Sequence, residues 1–372
     1  MKKFLAFLLL AVMILTLVGC GSKTETDTTT TDTKEDGAKV VLLISAAGTL
    51  DDRAFNSACW AGIQEVCAKN NLTYNYYQPT EDTVEAQLAQ CDVAVAAGAE
   101  FIIINSDQFK LSAVSMENNY PDVTFLMYDT PPTDESGNVV INSNMKVITF
   151  AEEQCAYIAG YAAVKDGYTK IGYIGGMPVP AVVRFGYGFV EGINQACEDL
   201  GIDKVDVWYT YFGNFEATAA NQTLCASWYE AGIQTIFVAA GPAGASAFAA
   251  AEATTDGTVI GVDSDQSGES DRVISSAMKD LKRVTINEIQ AWVDGTREGG
   301  VQARLTAAQE GVALPMATSK WKNFTQADYD ALYSRLAKDE NGLASSIPVD
   351  TDAATAADLA SRWPHVNLTD IE

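Results

Sequence analysis

Two aspartates of this chain stand where a carboxylate could meet a small molecule, because each one closes a short apolar run. Asp129 follows the run 124–128, and Asp263 follows the run 259–262. An ionised carboxylate at the end of a strand can accept strong hydrogen bonds from hydroxyl or ring N–H groups of a ligand. The alternative is that each aspartate caps the following turn. We favour a binding role for both.

A third candidate is the acidic stretch at residues 51–56, which contains Asp52, Phe55 and Asn56. It lies between a predicted strand at 39–45 and a helix predicted to run to about residue 69. A helix that begins at the carboxyl end of a strand presents backbone N–H groups where open α/β sheets bind ligands. The pattern also fits an N-cap followed by a core aromatic, and the sequence leaves the two interpretations open.

Aromatic and basic side chains supply the other candidates. Phe215 follows Gly213 and Asn214 in a predicted turn, where it could stack on a flat ligand. Lys279 ends an apolar run and could donate to a hydroxyl or balance a carboxylate. The glycine-containing loop at Gly241 lacks a phosphate-binding pattern, so we expect it to let the backbone approach a ligand.

Composition excludes several classes of function. The 372 residues carry a formal net charge of −25, which would repel a nucleic acid or a polyphosphate. The single histidine, His365, lies near the end of the chain. A zinc centre or a Ser-His-Asp triad is therefore not expected, and no metal or cofactor is predicted. Six scattered cysteines at positions 59–225 are expected to be small buried hydrophobic residues.

The beginning of the chain has the features of an exported protein. Two lysines precede an unbroken apolar run, so residues 1–19 are predicted to be a signal peptide. Cys20 ends a lipobox-like sequence and is the predicted site of lipidation, which would anchor the protein to a membrane facing the periplasm or the extracellular side. Residues 20–37 are rich in Thr, Asp and Lys, a composition typical of a flexible tether.

From residue 38 onward, short β-branched runs alternate with amphipathic helical stretches. This alternation predicts an α/β protein with parallel sheets covered by helices. The order of elements repeats once, which indicates two doubly wound lobes joined by a hinge. Residues 38–143 plus 278–318 are assigned to the first lobe, and residues 144–277 plus 319–372 to the second. The carboxyl ends of both sheets should then meet around a cleft between the lobes.

Several stretches together resemble the basic membrane protein (BMP) family, the substrate-binding lipoproteins of ABC importers. They are D-D-R-A-F-N at 51–56, F-A-E-E at 150–153 with Y-I-A-G-Y at 157–161, I-G-Y-I-G-G-M at 171–177 with R-F at 184–185, and G-V-D-S-D-Q at 261–266. The resemblance implies a type I periplasmic-binding-protein fold and no enzymatic activity. It also implies partnership with ABC permease subunits and capture of a purine nucleoside. In the characterised branch, aromatics stack on the base while carboxylates and a lysine bind the base edge and the ribose.

Carried over by motif and by strand position, the resemblance gives a set of ligand-binding candidates. They are Asp52, Phe55, Asn56, Asp107, Asp129, Phe215, Gly241, Asp263 and Lys279. The loop 45–48 has Ala46 near the place where nucleoside-binding members usually carry an aspartate, and Asp107 is the candidate replacement. The ligand could therefore be a modified nucleoside or a sugar. A carboxylate-based glycosidase and a signalling lipoprotein are the alternatives from other classes.

Overall fold

The computed structural model describes residues 38–371, which form two sheets flanked by helices. The first part of the chain builds most of the first sheet. Its elements are β1 (Val40–Leu43), α1 (Phe55–Asn70), β2 (Tyr74–Tyr77), α2 (Val84–Ala96), β3 (Phe101–Ile104), α3 (Ser112–Asn119), β4 (Thr124–Tyr128) and β5 (Met145–Phe150). These strands pair in parallel in the order β2-β1-β3-β4-β5.

The next part of the chain builds the second sheet. Its elements are α4 (Glu152–Lys165), β6 (Lys170–Gly175), α5 (Pro180–Leu200), β7 (Val205–Tyr211), α6 (Ala219–Glu230), β8 (Thr235–Ala239), α7 (Gly244–Glu252), β9 (Thr258–Asp263) and β10 (Val273–Lys279). These strands are also parallel, in the order β10-β9-β8-β6-β7. The predicted pair of doubly wound lobes is confirmed.

The last part of the chain serves both sheets. It contains α8 (Leu281–Val293), β11 (Val301–Leu305), β12 (Val312–Ala313), α9 (Gln326–Ala337), α10 (Leu343–Ser346) and β13 (Val366–Asp370). Strand β11 pairs in parallel with β5 and completes the first sheet. In the second sheet, β12 is antiparallel to β10, and β13 is parallel to β7.

Burial on both faces explains why these runs form strands. Every residue of β1 and β3 is buried. Such continuous apolar runs are typical of parallel sheets that have helices on both sides. We call each sheet with its flanking helices a lobe, and the carboxyl ends of the parallel strands of the two lobes face one another across a cleft.

The points at which the chain passes between the lobes differ from the prediction. Strand β5 was assigned to the second lobe, but it pairs with β4, so the first passage falls at Ala151. The second passage was predicted between residues 277 and 278, which lies within β10, yet β10 pairs with β9 in the second sheet up to Met278. The third passage falls near Thr306 and not after residue 318, because β12 already belongs to the second sheet. Strand pairing decided these boundaries, and local composition does not encode which strands pair.

Helices α4 and α5 pack with their backbones in contact. An added Cβ would lie 2.1 Å from the Phe189 carbonyl oxygen at Gly160, and 2.0 Å from the Tyr157 carbonyl oxygen at Gly192. A third such position is Gly188, where it would lie 2.2 Å from the Glu153 carbonyl oxygen. Only glycine permits this close approach. The contact fixes the first turns of both helices, and these turns carry two charged residues beneath the cleft.

The cysteines behave as the sequence predicted. All six within the described part of the chain are buried, and none forms a disulfide.

Among residues 38–371, the structure contains no helix with the length and apolar character needed to cross a membrane. The predicted signal peptide, Cys20 and the tether lie outside the described residues.

Candidate functional site

A cleft of about 290 Å³ lies between the two lobes, at the carboxyl ends of their strands. Residues from both lobes line it. They include all nine of the predicted ligand-binding residues: Asp52, Phe55, Asn56, Asp107, Asp129, Phe215, Gly241, Asp263 and Lys279. These residues span more than half of the chain, yet they lie in one place, as expected for residues near the carboxyl ends of parallel strands.

Asp52 caps the first turn of α1. Its Oδ1 accepts hydrogen bonds from the backbone N–H groups of Ala54 and Ser57, at 2.9 and 3.0 Å, and its Oδ2 accepts one from Asn56 at 2.8 Å. Burial raises the pKa of Asp52, and these hydrogen bonds lower it only in part. Both carboxylate oxygens thus already have donors from the protein, which favours capping over direct ligand contact.

Asn56 holds neighbouring loops in place. Its Nδ2 donates to the Thr49 carbonyl oxygen at 2.9 Å, and its Oδ1 accepts from Asn105 Nδ2 at 2.7 Å. Asn105 directly follows β3, so this pair ties the first turn of α1 to the end of the neighbouring strand. Asn56 lines the cleft and shapes the wall that faces the second lobe.

Lys279 is the centre of the charged cluster in the cleft. Its ammonium lies 2.8 Å from Asp129 Oδ2 and 3.2 Å from Asp263 Oδ1, and its side chain is only 2% exposed. The same ammonium lies 4.4 Å from the centre of the Phe55 ring, within cation–π range. Asp129 comes from the first lobe while Asp263 and Lys279 come from the second, so this cluster joins the lobes.

Asp129 and Asp263 hold unusual backbone conformations. Their φ angles are +67° and +65°, in the left-handed region that few non-glycine residues adopt. Each residue ends or directly follows its strand, so the turn directs the carboxylate towards Lys279. Backbone strain at two equivalent positions of a cleft is typical of a functional site.

Two charged residues beneath the cluster were missed by the sequence analysis. Glu152 is fully buried, with Oε1 3.8 Å from the Lys279 ammonium and Oε2 2.6 Å from Arg184 Nε. Arg184 in turn donates from Nη1 to Asp350 Oδ1 at 2.9 Å. Glu152 opens α4 and Arg184 lies in the first turns of α5, the two helices joined at their glycines. If β5 had been predicted as a strand, Glu152 would have been a candidate site residue, because Glu152 lies just past the carboxyl end of β5.

Burial dominates the proton affinities of this cluster. It raises the pKa of Asp129 and Asp263 against the lowering effect of Lys279, and it raises the pKa of Glu152 against that of Arg184. Burial alone would lower the pKa of Lys279, but the carboxylates of Asp129, Asp263 and Glu152 hold it well above its usual value. Lys279 is therefore a permanent cation that offsets part of the acidic charge.

The aromatic candidates lie on different walls of the cleft. Phe55 belongs to the first lobe and packs edge-on against Tyr128 at 6.4 Å between ring centres. Phe215 belongs to the second lobe and covers Gly176, where an added Cβ would lie 2.2 Å from its ring carbon Cε1. Gly241, with φ of +50°, faces the same ring. Both phenylalanines are only partly buried, so ring surface remains available to a flat ligand.

The two walls of the cleft differ in polarity. The first lobe contributes mainly hydrogen-bonding side chains: Ser45, Asn56, Asp82, Asn105, Ser106, Asp107, Gln108, Asp129 and Thr130. The second lobe contributes mainly apolar side chains: Met177, Val179, Ala181, Val182, Phe185, Phe215, Ala239, Pro242 and Val262. The cleft thus fits a ligand that has one apolar face and a polar edge.

A second acidic group lies in the loops of the first lobe. Asp107 Oδ1 is buried and accepts no hydrogen bond from residues 38–371, and Asp107 Oδ2 lies 3.5 Å from the Lys110 ammonium. Asp82, which the sequence analysis missed, accepts from the backbone N–H of Ala46 at 2.9 Å. A carboxylate therefore does reach the loop in which Ala46 stands, although it comes from the segment after β2.

The mouth of the cleft is bridged by contacts between the lobes. The carbonyl oxygen of Arg53 accepts from Ser264 Oγ at 2.9 Å and from Gln266 Nε2 at 3.1 Å. The Arg53 guanidinium also pairs with Glu269. These contacts place the lobes in a closed arrangement, with the charged cluster at the base of the cleft and this bridge at its mouth.

Comparison with solved structures identifies the fold class. A solute-binding protein of an ABC transporter system from Aeropyrum pernix K1 aligns with a TM-score of 0.70 at 18% identity, over 81% of this chain and 92% of its own. A second such protein, from Conexibacter woesei, aligns with a TM-score of 0.61 at 21% identity, over 82% of this chain and 97% of its own. The fold and its interlobe cleft are those of a type I periplasmic-binding protein, as predicted.

Sequence comparison gives the family. The model of the Bmp family, described as PnrA-like ABC transporter substrate-binding proteins, matches residues 39–351, and the chain belongs to this family. The ABC transporter nucleoside-binding protein BmpA of Lactococcus lactis subsp. cremoris is 28% identical over 305 residues, which cover 76% of this chain and 83% of that protein. Basic membrane protein A1 of Borrelia garinii subsp. bavariensis is 30% identical over 250 residues, covering 66% and 69%. The predicted family resemblance is confirmed.

Proposed function

We propose that this protein captures a purine nucleoside in the interlobe cleft and presents it to the permease of an ABC importer. Polar acceptors on the first lobe face apolar and aromatic side chains on the second, and this is the observation that carries the proposal. A nucleoside has a flat apolar face, a ring edge with N–H groups and several hydroxyls. The nucleoside-binding relative from Lactococcus lactis adds support. The protein would act outside the cytoplasmic membrane, anchored by lipid on Cys20.

The proposed binding mode gives a role to each of several candidates. Phe215 would stack on one face of the base, with Gly176 and Gly241 allowing the ring and the backbone to approach. Asp263 and Lys279 would bind ribose hydroxyls, as acceptor and donor. Ligand contacts from both lobes would add to those of Arg53 and favour the closed state, which is the state a permease recognises. A sugar receptor on the same fold is the second candidate, because it would use the same acceptors without the aromatic contact.

A thermal-shift screen of the purified protein tests the proposal. We expect a purine nucleoside at about 100 times its Kd to stabilise the fold by roughly 2.7 kcal/mol, and free pentoses to give no shift. Asp263→Asn should reduce the shift strongly. Asp265→Asn is the matched control, because Asp265 lies two residues along the same loop, accepts from Thr318 Oγ1 at 2.6 Å and does not line the cleft. A shift with a pentose and none with any nucleoside would support the sugar receptor.

We predict that Gly176→Ala weakens nucleoside binding and leaves the fold intact. The new methyl group would meet the Phe215 ring at 2.2 Å, so the ring would have to turn away from the cleft. Loss of one stacking contact corresponds to about 0.5 to 1.5 kcal/mol, or roughly a threefold to tenfold rise in Kd by titration calorimetry. Gly244→Ala is the control, since its nearest contact is an ordinary 3.6 Å. Equal affinities for the two variants would show that Phe215 does not stack on the ligand.

A further inference from the structure

We propose that the cleft selects ligands by charge, and that it binds positively charged purine nucleosides more tightly than neutral ones. Base-methylated nucleosides can carry this charge: 1-methyladenosine is a cation at neutral pH, and 7-methylguanosine is one at slightly acidic pH, where it keeps its N1 proton. The inference rests on the proposed function, since it names the class of nucleoside that the cleft favours. It starts from the balance of charged side chains around the cavity.

Acidic side chains greatly outnumber basic ones in the lining of the cleft. Among residues 38–371, six carboxylates and a single ammonium belong to the lining: Asp52, Asp82, Asp107, Asp129, Glu216, Asp263 and Lys279. Glu152 adds a carboxylate behind the cluster, where Arg184 balances it. A narrow cavity with low-dielectric walls concentrates this negative potential.

Within the lining formed by residues 38–371, the single ammonium, that of Lys279, is already surrounded by negative charge. Lys279 lies within 4 Å of three carboxylates, at 2.8 Å from Asp129, 3.2 Å from Asp263 and 3.8 Å from Glu152. A phosphate or a carboxylate on the ligand would have to compete with these three carboxylates for the same positive charge. It would also meet the other acids of the first lobe, Asp52, Asp82 and Asp107. Nucleotides and sugar phosphates are therefore excluded by charge, although the cavity is polar.

Besides Asp263 Oδ1, which faces the Lys279 ammonium at 3.2 Å, two carboxylate oxygens of the lining residues have no hydrogen-bond donor from residues 38–371. Asp107 Oδ1 and Asp129 Oδ1 are both buried, and neither accepts a hydrogen bond within the described part of the chain. Asp107 extends from the loop after β3, and its other oxygen is only 3.5 Å from Lys110, a partner that is 46% exposed. A ligand that brings positive charge to this wall would stabilise these buried carboxylates through space, and a small rotation of a side chain would let its oxygen accept a hydrogen bond.

The opposite wall suits the flat face of such a cation. Phe215 has a partly buried ring turned towards the cavity. A ring that carries positive charge gains a cation–π contribution when it stacks on an aromatic face, in addition to the ordinary stacking contact. Lys279 over the Phe55 ring at 4.4 Å shows the same preference within this cleft. Acidic acceptors on one side and an aromatic face on the other therefore both favour a cationic base.

Titration calorimetry with matched ligand pairs tests the inference on the purified protein. 1-methyladenosine and 1-methylinosine carry a methyl group on the same ring atom, and only the former is charged. 7-methylguanosine and guanosine form a second pair, in case the N1 position is sterically closed. We expect at least one cationic compound to bind about tenfold more tightly than its neutral partner at low salt, with the ratio narrowing as ions screen the cleft. Adenosine 5′-monophosphate should bind at least about 100-fold more weakly than adenosine.

Asp107→Asn separates the charge effect from shape. The substitution removes the charge and keeps the side-chain size, so the affinity ratio of the cationic compound to its neutral partner should fall severalfold. The same ratio should be unchanged in Asp265→Asn, whose carboxylate lies outside the lining. If neutral nucleosides bind and neither cationic compound exceeds its partner, the inference is wrong while the proposed function stands. If no nucleoside of any charge binds, the proposed function itself fails.

Discussion

Replacing Lys279 with methionine should destabilise the protein by about 3 to 5 kcal/mol near neutral pH. Lys279 is 96% buried, and its removal leaves Asp129, Asp263 and Glu152 without their shared cation. Buried carboxylates in that position lose their Coulombic compensation and cannot regain hydration. Chemical denaturation followed by fluorescence measures the free energy of unfolding directly.

The loss of stability in Lys279→Met should become smaller as pH is lowered. Burial already raises the pKa of Asp129 and Asp263 above their ordinary value of 3.8, and loss of Lys279 removes the interaction that lowers it. A carboxyl group whose pKa is higher in the folded state binds more protons there, so stability falls as pH rises through the window above about pH 4. The gap between wild type and Lys279→Met should therefore narrow as pH is lowered from about 7 to about 5.

A surface lysine provides the control for this variant. Lys282 pairs with Glu65 at 2.8 Å, but the two side chains are 51% and 60% exposed. Lys282→Met should change the free energy of unfolding by less than about 1 kcal/mol, with little dependence on pH. If Lys279→Met proved as stable as Lys282→Met at neutral pH, the acidic cluster would not depend on this cation.

The second large effect is expected at Gly192. A methyl group there would lie 2.0 Å from the Tyr157 carbonyl oxygen, so Gly192→Ala must push α4 and α5 apart. Overpacking of this kind costs about 3 kcal/mol, which exceeds the gain of about 1 kcal/mol from alanine's better helix propensity. Because the first turns of these helices hold Glu152 and Arg184, we also expect ligand affinity to fall.

Gly268→Ala is the matched control for the helix contact. Gly268 has no atom within 4 Å of the position of an added Cβ, so the free energy of unfolding should change by about 0.5 kcal/mol or less. Thermal and chemical denaturation of both variants measure the difference. Similar melting temperatures for Gly192→Ala and Gly268→Ala would mean that the two helices can separate without cost.

Much of the candidate site followed from one rule about strands. Asp129, Phe215 and Asp263 were predicted because each closes or follows a short β-branched run, and carboxyl ends of parallel strands gather at one edge of a sheet. Asp107 was suggested by the motif comparison and by its place after β3. The order of helices and strands likewise gave the two lobes, since periodicity is a local property that sequence records well.

Long-range pairing explains what the sequence analysis missed. Strand β5 was not predicted, although it lies between β4 and β11 in the first sheet and β11 comes about 150 residues later in the chain, and with it the significance of Glu152 was lost. Strand β13 pairs with β7 about 160 residues earlier, a partnership that no local signal reveals. The link from Arg184 to Asp350 spans 166 residues and depends on how the end of the chain folds back.

The matched left-handed turns at Asp129 and Asp263 also bear on ancestry. Asp129 directly follows β4, and Asp263 ends β9. These two strands occupy the same position in their sheets, since β4 lies next to β3 and β9 lies next to β8. An internal duplication of one half-size unit would produce this correspondence, and the two facing acids would then descend from a single residue. Once the copies were joined, each half could diverge separately. The present walls differ, since the first lobe contributes mainly hydrogen-bonding side chains and the second mainly apolar ones, so a duplication would have been followed by divergence of the two walls.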